Sequence, residues 1–165
     1  MTLEPAFQSY YPEHLAHCYG CGRLNDRGYR LETRWDGDES LTLFTPLPHH
    51  IAVAGVVYGG LLAALVDCHS TGTAAAALYR NEKRPMSSMP VHRCVTGTLN
   101  VRFLRPTTLG PVVEVRGRVA DITGRKVTVL SRICVEGVTT VEAEVVALEM
   151  PDGFGAQITE PTLPT

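Results

Sequence analysis

A single carboxylate interrupts the most apolar stretch of this chain. Around Asp67 the sequence runs Val57-Tyr58-Gly59-Gly60-Leu61-Leu62-Ala63-Ala64-Leu65-Val66-Asp67-Cys68-His69-Ser70 and stays mostly apolar or small to Leu78. A carboxylate among such residues is costly unless it is paired or used. Apolar surroundings also make a carboxylate a better base, able to draw a proton from water, and leave it the alternative of direct attack on a carbonyl. Gly59 and Gly60 stand at the expected helix start. There the backbone N–H groups have no intrahelical partner and carry the positive end of the helix dipole. Glycine allows a carbonyl oxygen to approach that backbone closely. Donors of this kind supply about 3 kcal/mol to a developing oxyanion. The other reading of Asp67 is a buried polar residue hydrogen-bonded across an interface between subunits.

The elements that must hold these residues are readable in order. Tyr29 to Trp35 alternates apolar and polar residues, as a half-buried strand does. Asp36-Gly37-Asp38 is turn chemistry, and Ser40 to Phe44 forms the second arm of a hairpin. Pro46 to Gly59 is a loop. From Gly60 to Leu78 the apolar residues fall on nearly every side, which predicts a helix buried all round, ending near Arg80 to Glu82 before Pro85. Residues 83–94 read as a mobile or site-forming loop.

The second half is strand: Val95 to Leu104, Val112 to Ala120, Lys126 to Val135 and Val138 to Met150. In the first of these Leu99, Val101 and Phe103 share one face, and Thr98, Asn100 and Arg102 the other. Gly117 would permit the bend that a curling sheet needs. The organisation is therefore an irregular segment (residues 1–28), one α+β domain (29–150) and a loosely held tail (151–165). A helix apolar on all sides needs more cover than one curled sheet supplies, so at least a dimer is expected.

Bulk properties narrow the classes. The chain has 165 residues, a formal net charge of −2 and no cluster of basic residues of the kind that binds nucleic acid. Glycines and Asp67, His69 and Ser70 break up the apolar run before a membrane span is complete. Met1 to Leu15 lacks the pattern of a secretion signal. Five cysteines in such a setting fit reduced thiols, so a soluble, cytoplasmic protein is expected. Cys18-x-x-Cys21 raises the question of zinc. His14, His17, His49, His50 and His69 are available, but no second pair at regular spacing completes a ligand set, and no metal is expected. Cys68, Cys94 and Cys134 read as small core residues. His69 lies about 200° round the helix from Asp67, placed for burial or an interface and not as its partner.

Three segments carry a family resemblance. Tyr58-Gly59-Gly60 through Val66-Asp67, Leu99-Asn100-Val101-Arg102-Phe103-Leu104-Arg105-Pro106, and His17-Cys18-Tyr19-Gly20-Cys21-Gly22 occur in this order. Together they resemble the hotdog fold, and more narrowly the PaaI-like acyl-CoA thioesterases. The resemblance implies a curled antiparallel sheet wrapped around one long helix, a homodimer or dimer of dimers with sites at the subunit interface, and hydrolysis of an acyl-CoA thioester without a cofactor. By position, Asp67 matches the catalytic acid, Gly59 the residue whose N–H holds the thioester oxygen, and Thr96 a hydroxyl that orients water. In the dimer Asp67 would face the donors of the partner. The chain has Tyr58 where the family usually has His, and Ala52 where a polar residue is common. His49 and His50 lie near enough to substitute. Arg102, Arg105, Arg125, Lys126, Arg80, Lys83 and Arg84 are candidates to meet the phosphates of CoA, each with the alternative of being solvated surface charge. Two other functions remain open: a non-catalytic acyl-CoA binding protein, motivated by Tyr58 and Ala52, and a hotdog hydratase or dehydratase, for which no Asp/His spacing is evident.

Overall fold

In the computed structural model, residues 4–151 and 153–154 are described. Two strands, β1 (Thr33–Asp36) and β2 (Glu39–Phe44), form the expected hairpin. Helix α1 (Gly59–Asn81) follows, and then β3 (Cys94–Phe103), β4 (Val113–Thr123), β5 (Lys126–Val135) and β6 (Val138–Glu149). All six strands join in one antiparallel sheet, ordered β1-β2-β4-β5-β6-β3, that curls around α1. This is the hotdog arrangement. The expected strand over Tyr29 to Trp35 is shorter. Residues 29–32 instead bond back to the amino-terminal segment, Tyr29 N–H to the Tyr19 carbonyl and Leu31 N–H to the Gly20 carbonyl. Of the expected tail 151–165, residue 152 and residues 155–165 lie outside the described residues.

The core lies between α1 and the concave sheet face. Leu61, Leu65 and Val66 of the helix pack against Val113, Val115, Ile133, Val141 and Val145. Further along, Ala74, Ala75 and Leu78 pack on Val127, Val129 and Ala147. The helix is long and apolar enough to cross a membrane, but most of it is buried within the protein as its core helix.

The helix is not buried all round. From Cys68 to Tyr79 every residue is buried, whereas Gly60, Ala63, Ala64 and Asp67 form a partly open stripe on one face. The difference arises from the amino-terminal segment. Its Gln8 and Tyr11 sit against Gly72, where a Cβ would lie 3.0 Å from the Gln8 amide nitrogen and 3.6 Å from the Tyr11 hydroxyl. That segment covers the carboxyl-terminal half of the helix and leaves the stripe next to β3 uncovered.

Polar groups buried under the helix are satisfied by one another. His69 is fully buried, with Nε2 at 2.9 Å from Ser40 Oγ and Nδ1 at 2.9 Å from Thr42 Oγ1. Thr42 continues to Thr33, whose N–H donates to the Gln8 side-chain carbonyl. Gly117 leaves room for this network. A Cβ there would fall 2.7 Å from His69 Nε2 and 2.8 Å from Ser40 Oγ. The missing side chain gives clearance for the imidazole; the register irregularity of β4 lies further on, between Val119 and Asp121.

Candidate active site

The site begins at the break before α1. Tyr58 is the N-cap, with φ −59° and ψ 125°, and its side chain makes no capping hydrogen bond. Its N–H donates to the His50 carbonyl at 2.9 Å, which ties the preceding loop to the helix start. The Tyr58 carbonyl accepts from Leu61 and Leu62. The N–H groups of Gly59 and Gly60 have no acceptor among the described residues. The Tyr58 ring lies over Gly60, where a Cβ would meet it at 2.5 Å. Gly59 faces Phe103 of β3 and opens into a groove of about 390 Å³ lined also by Ala52, Val56, Leu62 and Arg105. Thus Gly59 and Arg105 share one groove. Ala52, where the family commonly has a polar residue, makes its wall apolar.

Asp67 lies eight residues beyond Gly59, about 12 Å along the helix axis. It is half-buried, which corrects the expectation of a fully apolar setting: the open stripe exposes it toward β3. There the Thr96 hydroxyl donates a hydrogen bond to Asp67 Oδ1. The sequence alone pairs neither residue with the other. What brings them together is a β-bulge. The register of β3 against β6 shifts between Thr96 and Thr98, leaving Gly97 unpaired. Directly opposed residues share a face. Leu99 opposes Val145 and Thr96 opposes Ala147, both buried on the concave side. The extra residue thus turns Thr96 from the outer face of Thr98, Asn100 and Arg102 to the helix side. A glycine inside a strand is the sequence signal for such a bulge.

The other expected residues are dispersed. His50 donates no side-chain bond into the groove. Its Nδ1 accepts from the Leu47 N–H, and its ring packs among Tyr29, Phe44 and His49. Burial, with His49 beside it, holds its pKa below the ordinary histidine value. Arg125 and Lys126 stand at the opposite end of the sheet from Gly59, where Arg125 donates to the Glu149 carbonyl. Arg84, on the connection between α1 and β3, is engaged with Glu82, Ser88 and His92 and is held in place by them. His69 is closed within the network beneath the helix and does not reach Asp67.

Sequence reasoning missed one cluster. Cys68 follows Asp67 on the helix, and its sulfur lies 3.7 Å from that of Cys18. With Cys21, the three sulfur atoms fall within 4.8 Å of one another. Cys68 gives no spacing signal, because only the packing of the amino-terminal turn on the helix brings it there. All five cysteines are free.

The thioesterase superfamily family model matches residues 54–142, which span both Gly59 and Asp67. A thioesterase superfamily protein from Shewanella loihica PV-4 superimposes with a TM-score of 0.65 at 34% identity, covering 86% of this chain and all of that one. The E. coli PaaI protein from the phenylacetic acid degradation operon gives 0.60 at 13% identity, over 74% of this chain and 81% of its own. A hypothetical thioesterase from Streptococcus pneumoniae TIGR4, solved with coenzyme A, gives 0.58 at 16% identity, over 73% and 85%. No protein among curated sequences matches significantly. On the family match, and on the identity and full coverage of the Shewanella protein, this chain belongs to the thioesterase superfamily.

Proposed function

We propose that this protein hydrolyses an acyl-CoA thioester, with Asp67 as its general base or nucleophile. The observation that carries the reading is the half-open Asp67 carboxylate, held by the Thr96 hydroxyl on the uncovered stripe of α1. In the general-base form, Asp67 takes a proton from water as the water oxygen bonds to the thioester carbon. Negative charge collects on the carbonyl oxygen and is stabilised by N–H donors. Collapse breaks the carbon–sulfur bond, and the thiolate leaves with the proton returned from Asp67. In the nucleophilic form the Asp67 carboxylate adds to the carbon, the carbon–sulfur bond breaks and the CoA thiolate leaves, and water then cleaves the resulting mixed anhydride to release the acid and restore the carboxylate.

The Gly59 and Gly60 N–H groups are the proposed oxyanion donors. A reacting carbonyl cannot touch both them and Asp67 of the same chain across about 12 Å. The site is therefore completed by a second copy, as a homodimer or a dimer of dimers. Arg105, exposed at the Gly59 groove, is placed to meet a phosphate of CoA. Arg125 and Lys126 would take part only where a partner's site reaches the far end of the sheet. The coenzyme A in the Streptococcus protein supports the substrate class. Free cysteines suit the reducing cytoplasm.

The test is thiol release from a panel of short, medium and aromatic acyl-CoAs. Asp67→Asn is expected to lower kcat by at least about 100-fold, the low end of what a positioned base contributes. Unchanged release would remove Asp67 from the mechanism. One observation favours a second reading, acyl-CoA binding without turnover: the Tyr58 ring covers Gly60, where the family usually has His at the Tyr58 position. Tight CoA binding with no release from any member of the panel would establish it.

A further inference from the structure

We propose that Cys18, Cys21 and Cys68 form a binding site for a divalent, thiophilic metal ion, zinc above all. The site pins the amino-terminal turn to the helix one residue beyond Asp67. The inference does not depend on the acyl-CoA reading.

Three observations carry it. The first is the geometry of the sulfurs. Around a tetrahedral zinc, with Zn–S near 2.3 Å, two sulfurs stand about 3.8 Å apart. Cys18 and Cys68 are 3.7 Å apart, and all three sulfurs lie within 4.8 Å. Closing on an ion therefore needs movements of no more than roughly 1 Å.

The second is the shape of the turn. Cys18 to Gly22 folds as a tight knuckle, with the Gly22 N–H donating to the Cys18 carbonyl at 2.7 Å. Side chains are excluded where they would block the cluster. A Cβ on Gly20 would fall 2.1 Å from Cys68 Sγ, and one on Gly22 would fall 2.5 Å from the Cys18 backbone.

The third is charge. Arg93 is largely withdrawn from solvent and has no carboxylate partner among the described residues. Its guanidinium stacks over the Tyr11 ring at 4.5 Å, donates to the Cys94 carbonyl and reaches Cys21 Sγ at 3.8 Å. A cation so placed wants an anion beside it. Three thiolates around a divalent ion leave one negative charge, which Arg93 offsets. Its N–H toward Cys21 is the kind of outer contact that steadies a metal ligand. Cys18 is the least buried of the three, so water completes the tetrahedron on its side.

Full-length protein, purified under reducing conditions and equilibrated with zinc, should carry about one zinc per chain by elemental analysis. Cys18→Ser and Cys68→Ser should each lower this at least tenfold with the circular dichroism spectrum retained, while Cys134→Ser leaves it unchanged. Cobalt(II) added to the zinc-free natural protein should develop the thiolate charge-transfer and visible bands of a tetrahedral sulfur site. This readout stands even if a serine variant misfolds. Failure of the natural protein to bind either metal, retention of zinc in both variants, or a Cys18–Cys68 disulfide in anaerobically prepared protein would overturn the proposal.

Discussion

The Thr96 hydroxyl donates to Asp67 Oδ1, and in the proposed reaction Oδ2 would be the atom that takes the proton from water. One hydrogen bond to a charged group is worth about 1.5 kcal/mol, close to a tenfold effect on rate. Thr96→Ala should therefore lower kcat about tenfold and spare KM, and Thr96→Ser should restore most of it. Equal rates in all three proteins would reduce Thr96 to a strand residue. His69 illustrates the opposite use of a polar side chain. Burial pushes its pKa down to about 3, so it is neutral when folded and titrates near 6.5 when unfolded. The unfolded chain then binds the extra proton below pH 6.5, and stability present above that pH is lost as pH falls toward 3. Between pH 7 and pH 5 the loss from this group is about 2 kcal/mol. Urea unfolding at the two pH values reads it directly. In His69→Gln the remaining pH dependence should be smaller by that amount, whatever the variant's stability at pH 7.

At the scale of elements, two strand glycines do different work. Gly97 is the extra residue that reverses the facing of Thr96, and Gly117 is the vacancy into which His69 fits. Gly117→Ala forces a Cβ against two groups fixed by their own hydrogen bonds, so a loss of about 2 kcal/mol is expected by denaturant titration. A loss near zero would mean that the network yields. The period-two runs after Val95 and the long apolar run after Gly60 made the sheet and helix legible, because burial on one face or all round leaves a direct imprint on composition. Facing within a strand was legible only up to the bulge, since one inserted residue inverts every side chain beyond it. Asp67 and the two helix glycines could be picked out by type. The Thr96 contact, the depth of His69 and the approach of Cys68 to Cys18 could not, because each depends on how segments remote in sequence pack.

The sheet ends in β3, whose outward edge has no strand partner among the described residues and whose residues from Thr96 to Asn100 are exposed. Leu99 is 37% and Phe103 55% exposed, beside the open stripe of Gly60, Ala63, Ala64 and Asp67. A long edge with apolar side chains is a template for pairing with another chain. The same region holds both halves of the proposed site, which one chain keeps about 12 Å apart. Cover for the stripe, pairing for the edge and completion of the proposed site are thus three demands that one association across β3 would meet together. Light scattering coupled to size exclusion should show an even-numbered oligomer. The substitution Leu99→Glu, on the exposed edge and outside the Gly59 groove, would bring like charges together across such a twofold contact and should yield a folded monomer. Leu99 neither lines that groove nor bonds to Asp67, yet thiol release should fall with the oligomer, to the level of Asp67→Asn. Mixing Asp67→Asn subunits with subunits blocked at the helix start by Gly59→Val, each inactive alone, should restore part of the activity if the acid and the donors come from different chains. A monomer that hydrolyses at the natural rate, or a mixture that recovers nothing, would place the whole reaction within one subunit and refute the shared site.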